Sequence, residues 1–212
     1  YAVNLHQSTT YNKEIFNWIN EFTIEMAEQE VDNSSEIMYR AISYFKDRDK
    51  YVIVYGHSYS AFIIPHYMAT RPSLADKYIT TGGRVKADSL QTAYQLKNIN
   101  TQFHEDGKAL ELPEENRPPN PYRTQRYFKL RQAKNYLKAA IGQLDYSKEL
   151  ADKDLSNWTF VYGLKDQNVG VPTNHELEFL KSKNVQVMGV DSNHYNLYKH
   201  LIDSLEAGAI KF

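Results

Sequence analysis

Residues Tyr51 to Met68, YVIVYGHSYSAFIIPHYM, run an uncharged segment directly into a tight turn and then into a second apolar segment. Tyr51-Val52-Ile53-Val54-Tyr55 is β-branched and aromatic, the pattern of a strand buried on both faces of a parallel sheet. After Gly56-His57-Ser58-Tyr59-Ser60, the residues Ala61, Phe62, Ile63, Ile64, Tyr67 and Met68 recur at helical spacing, with Pro65 limiting how regular the first turns can be. Strand, turn and helix therefore follow one another without a loop. Few architectures accommodate that succession, and those that do alternate strands with helices.

The turn has a chemical reading. A serine at the tip of a strained strand-to-helix turn needs small residues two before and two after it, because the two backbones approach closely there. Gly56 and Ser60 meet that need around Ser58, Ser60 standing where the usual G-x-S-x-G pattern has glycine. The bland alternative is a small residue in a tight turn.

With 212 residues, the chain is long enough for one well-buried domain with an inserted subdomain. A net charge of −1 supplies no field to recruit nucleic acid or an acidic membrane surface. The absence of cysteine excludes disulfides, thiolate metal sites and cysteine nucleophiles. No apolar run approaches the roughly 20 residues that span a bilayer. The sequence begins at Tyr1 rather than methionine, so a processed or truncated N-terminus is expected. That start is compatible with a processed secreted or periplasmic protein or a truncated cytoplasmic one, and the compartment stays open.

Along the chain, Tyr1 to Leu5 reads as a short strand ended by His6-Gln7-Ser8-Thr9-Thr10. Helices are expected over about 12–20 and 23–45, the second with a weak point at Asn33-Ser34-Ser35. Lys77 to Thr81 reads as a strand leading into Gly82-Gly83. From Lys86 to about Asp154 the chain is polar and tyrosine-rich. It includes an irregular proline-rich run and then a basic helix bearing Tyr127, Phe128, Leu130 and Leu137. Trp158 to Gly163 and Val185 to Val190 are the last strands, and helices are expected from about 174 to 182 and from 197 to 205. This order predicts an α/β fold: a mostly parallel sheet with helices on both faces and its sites beyond the carboxyl ends of the strands. Residues 1–85 and 155–212 form the core, and 86–154 form a cap or lid inserted after the strand at 77–81.

Ser58, Asp166 and His194 each follow the end of a predicted strand, which places them at one edge of the sheet. A serine hydroxyl is a poor nucleophile until a base takes its proton and an acid orients that base. Asp191 and Asp145 compete with Asp166 for the acid, and His175 and His200 compete with His194 for the base. His57 reads as a packing residue below the turn. His6, His66 and His104 form no spacing typical of metal ligands, so neither metal nor cofactor is inferred.

On GHSYS, FVYGLKD and VDSNHY, taken in that order, the chain resembles the α/β-hydrolase fold serine hydrolases. The resemblance covers about residues 50–85 and 155–205, and the stretch between corresponds to the family's variable cap. It implies Ser58 as nucleophile, Asp166 as acid, His194 as base and the backbone N–H of Tyr59 as one oxyanion donor. The family draws its second donor from a glycine-containing loop after an earlier strand, often with a His-Gly motif that does not occur before Ser58 here. If Tyr1 to Leu5 is that strand, the donor comes from His6, Gln7 or Ser8, with Gln7 the named candidate. Otherwise the donor strands precede Tyr1. The expected activity is cleavage of an acyl ester, amide or thioester of a small molecule, esters being favoured, with His57, Tyr127 and Phe128 near the substrate. Two alternatives use the same residues: a hydrolase-fold binding protein without activity, and an acyltransferase. A homo-oligomer is compatible with either.

Overall fold

The computed structural model describes residues 2–5, 22–104, 107–112 and 121–208. Helix α1, Ile24–Lys46, starts where Thr23 caps it, the threonine hydroxyl accepting from the Met26 N–H. Its buried residues Ala27, Val31, Ser35, Met38 and Ile42 form one stripe at three- and four-residue spacing. The expected weak point does not interrupt it. Ser34 Oγ donates to Glu30 Oε1 at 2.9 Å, and buried Ser35 lies 3.5 Å from Thr70 Oγ1. The polar side chains are thus occupied with side-chain partners and do not compete with the helical backbone.

Strand β1, Ile53–His57, leads into helix α2, Tyr59–Thr70, which contains Pro65. Strand β2, Lys77–Thr81, is followed by α3, Ser89–Leu96, the short antiparallel pair β3, Thr101–Phe103, and β4, Ala109–Glu111, then α4, Pro121–Gly142, and α5, Tyr146–Glu149. The chain then returns to the main sheet with β5, Trp158–Gly163, helix α6, Asn174–Ser182, strand β6, Gln186–Val190, a single 3₁₀ turn over His194–Asn196, and α7, Leu197–Glu206. The main sheet has the order β1-β2-β5-β6, and every neighbouring pair is parallel.

One core joins α1, α2 and the inner strands, with Trp158, Tyr67, Tyr78 and Phe160 among its largest fully buried side chains. Full burial of a Leu- or Phe-sized side chain contributes about 1.5–3 kcal/mol. Ala140, Ile141, Tyr146 and Leu150, from the connection between β2 and β5, belong to the same core. On the other face of the sheet, α7 buries Leu197 and Leu201 against Ile79 and Val161.

Two expectations need correction. Among the described residues β1 is an edge strand. Ile53 and Tyr55 are more than two-fifths exposed, so β1 is not buried on both faces. Residues 2–5 are exposed and form no strand. A ladder requires a paired neighbour, and β-branched composition alone does not supply one.

Candidate active site

Ser58 sits between β1 and α2 with φ +57° and ψ −119°, a backbone conformation that non-glycine residues rarely adopt. The turn stays that tight because Gly56 has no side chain: a Cβ there would lie 2.7 Å from the carbonyl oxygen of Ser60 and from Ile64 Cδ1. Ser60 itself is exposed, so its hydroxymethyl group has room. The Ser58 N–H donates to the Thr81 carbonyl at 3.0 Å, which ties the turn to the end of β2.

His194 lies past the end of β6 and is 4% exposed. Its ring rests on Gly82, where a Cβ would come within 3.0 Å of Cε1 and Nδ1, and where φ is +63°. Asn193 sets up the turn, its Oδ1 accepting from the N–H groups of Tyr195 and Asn196. Asp166, 3% exposed, lies past the end of β5 in a turn tied to the β6 side by the Leu164 and Lys165 N–H groups, which donate to the carbonyls of Val190 and Ser192.

These three side chains form one hydrogen-bonded row. His194 Nδ1 is 2.7 Å from Asp166 Oδ2, and His194 Nε2 is 2.9 Å from Ser58 Oγ. A carboxylate only accepts, so it selects the tautomer with the proton on Nδ1 and leaves Nε2 to accept from the serine hydroxyl. Asp166 Oδ1 accepts from the backbone N–H groups of Asn168 and Val169 at 2.9 and 3.1 Å. The Tyr59 N–H, at the first position of α2, belongs to the set that a helix leaves without an intrahelical acceptor.

The competing residues are placed elsewhere. Asp191 pairs with Lys165 in an exposed ion pair, and Asp145 accepts from Ser147 and pairs with Lys86. His175 is on α6 and His200 on α7. His66 Nε2 is 2.9 Å from Asp32 Oδ1, between α2 and α1. Phe128 is half exposed on α4 and makes its ring contact with Arg131, not with the row. Gln7 lies outside the described residues, as does the Tyr127 side chain.

Sequence reasoning missed the environment of His57. Its Nδ1 lies 2.9 Å from Thr81 Oγ1, which also meets the Tyr55 hydroxyl at 3.1 Å, and its ring centroid is 4.8 Å from that of His194. Burial, and then repulsion from His194, hold its pKa below the ordinary histidine value. A cavity of about 580 Å³ lies along the outer side of β1, between α1 and Val3 to Leu5, and reaches His57, Tyr59 and Ser60 but not Ser58. Ser58, Asp166 and His194 do not line this cavity. Among the described residues no group of three or more His, Asp or Glu side chains could hold a metal ion, and no helix is long and apolar enough to cross a membrane.

No protein-family model matches the sequence, and no curated protein matches it either. Solved structures do match. One belongs to the work on LipS and LipT, two metagenome-derived lipolytic enzymes, with a TM-score of 0.52 at 12% identity over 88% of this chain and 76% of that one. Another is BpoC of Mycobacterium tuberculosis H37Rv, named as a candidate non-heme bromoperoxidase, with a TM-score of 0.52 at 11% identity over 84% of this chain and 72% of that one. The chain has the α/β-hydrolase fold.

Proposed function

We propose that this chain is a serine hydrolase acting on acyl esters, and that Ser58, His194 and Asp166 are its nucleophile, base and acid. The observation that carries the reading is the unbroken row from Ser58 Oγ through the His194 ring to Asp166 Oδ2, at the carboxyl ends of three parallel strands. In the first half-reaction Ser58 Oγ bonds to the acyl carbon while its proton moves to His194 Nε2. The negative charge that develops on the carbonyl oxygen is met by the Tyr59 N–H. His194 then gives the proton to the departing alkoxide. In the second half-reaction water, deprotonated by the same nitrogen, releases the acid and restores Ser58. Asp166 stabilises the imidazolium throughout and keeps the ring in the productive tautomer.

Amides and thioesters would use the same groups. The 86–154 segment is proposed as the lid, the part of the chain that would distinguish one acyl group from another.

Labelling with a fluorophosphonate probe tests the reading, with turnover of p-nitrophenyl acetate and butyrate measured beside it. Wild type should be labelled and Ser58→Ala should not, with kcat falling by about 10³-fold or more. A folded wild-type protein that is neither labelled nor active would leave a binding role for this fold.

A further inference from the structure

The turn that carries Asp166 is gripped from two sides. In a trans peptide the N–H and the C=O point in opposite directions, so one peptide plane can be held at both ends. The plane between Gln167 and Asn168 donates its N–H to Asp166 Oδ1, while its carbonyl accepts from the Phe103 N–H at 2.7 Å. The plane between Asn168 and Val169 does the same: its N–H goes to Asp166 Oδ1, and its carbonyl accepts from Gln91 Nε2 at 3.0 Å. Phe103 is in β3 and Gln91 in α3, both within the connection between β2 and β5.

The donors are themselves held in place. Gln91 is 7% exposed, and its own N–H is capped by Asp88 Oδ1 at 2.8 Å. The turn between α3 and β3 is fixed by Asn135 of α4, whose Nδ2 donates to Asn98 Oδ1 and Asn100 Oδ1. The buried Phe103 ring lies against Gly170, at φ +77°, where a Cβ would come within 2.9 Å of it. Two amide dipoles are therefore aligned, with the acid's carboxylate at one end and the donors of α3 and β3 at the other. Such chained hydrogen bonds strengthen each other.

We propose that Gln91 and Phe103 are positioning residues for the acid, and that the 86–154 segment acts on the reaction through the Asp166 turn and not solely by shaping a substrate pocket. The proposal rests on the triad reading given above. Loss of either donor lets the two peptide planes rotate and releases Asp166 Oδ1, which turns Oδ2 away from His194. The same coupling would let a shift of α3 and β3 change the orientation of the base.

The test is Gln91→Met, which keeps the length of the side chain and removes the donor. Two readouts are taken: kcat and KM for p-nitrophenyl butyrate, and the far-downfield proton resonance of the hydrogen bond between His194 and Asp166. That resonance is assigned by its absence in Asp166→Asn. The expected result is a fall in kcat of about 10- to 100-fold, KM within about twofold of wild type, and a shifted or broadened resonance. An unchanged resonance with unchanged kcat, or with a change in KM alone, overturns the proposal. If Gln91→Met does not fold, Gln91→Glu carries the same test: it keeps the length of the side chain and sets an acceptor where the Asn168 carbonyl needs a donor, and it should move both readouts in the same direction. The resonance is read without substrate, so a wild type that the fluorophosphonate fails to label would sink the hydrolase reading and leave this measurement decisive for the coupling.

Discussion

The turn bearing Ser58 and the turn bearing Asp166 are held by different balances of forces. At Ser58 the backbone is strained, and beside the hydrogen bond from its N–H to the Thr81 carbonyl the turn is kept tight by local packing, since a Cβ on Gly56 would lie 2.7 Å from the Ser60 carbonyl oxygen. At Asp166 the restraint is a set of hydrogen bonds, and two of the partners, Gln91 and Phe103, belong to a distant stretch of chain. The first depends on the absent side chain of Gly56, and the second depends on donors elsewhere in the chain. Ser58 is thus placed chiefly by its own neighbourhood, and Asp166 with the help of α3 and β3.

Substitutions should separate the two modes. Asp166→Asn keeps the size of the side chain and removes the charge, and its amide can present a donor where His194 requires an acceptor. A kcat loss of about 10⁴-fold with little change in urea midpoint is expected, as measured by steady-state kinetics and equilibrium unfolding. Gly56→Ala should act in the opposite way. Its Cβ would meet backbone 2.7 Å away, so it should destabilise the protein by about 1–3 kcal/mol in urea unfolding and slow fluorophosphonate labelling through displacement of Ser58. Loss of labelling without loss of stability would show that the turn yields more easily than its packing implies.

Asp76 examines hydrogen bonding at the other end of β1. Its carboxylate accepts from Lys46 Nζ at 2.8 and 2.9 Å and from the Val52 N–H at 2.7 Å. Lys46 first, and then the Val52 N–H, hold its pKa below the usual carboxylate range. A depressed pKa in the folded state stabilises the protein fully above that range, and the contribution is lost as the pH falls through the lowered value. Asp76→Asn should therefore cost about 1–2 kcal/mol at neutral pH, flatten the decline in stability on acidification, and leave kcat unchanged. Smallest is Thr81→Val, which removes the hydroxyl shared by Tyr55 and His57 while keeping the carbonyl that accepts from Ser58. Thermal unfolding should register about 0.5–1.5 kcal/mol, with labelling near the wild-type rate.

What could be read in advance follows the same division. The strand Trp158–Gly163 and the helix Asn174–Ser182 match their expected bounds because their signals are local: an apolar run ending at glycine, and a threonine cap closing a capping box with Glu176. Ser58, Asp166 and His194 were singled out because each directly follows a strand, and they meet within hydrogen-bonding distance. What an isolated run cannot report is its neighbour. The apolar run around Ile53 looks alike in the centre of a sheet or at its edge, and Ala2 to Leu5 carries strand composition without a ladder. Gln91 and Phe103 were illegible for a related reason. They lie in short elements of a polar stretch, and only tertiary structure brings them to the Asp166 turn.

The separation of 136 residues between Ser58 and His194 has a consequence for the protein as it is made. At ribosomal rates of about 5–20 residues per second, on the order of ten seconds pass between synthesis of the serine and synthesis of its histidine. Throughout that interval the Ser58 hydroxyl lacks the ring nitrogen that meets it in the folded chain. Only when the last strand and the turn after it emerge and join the sheet can the histidine take up its place beside the serine.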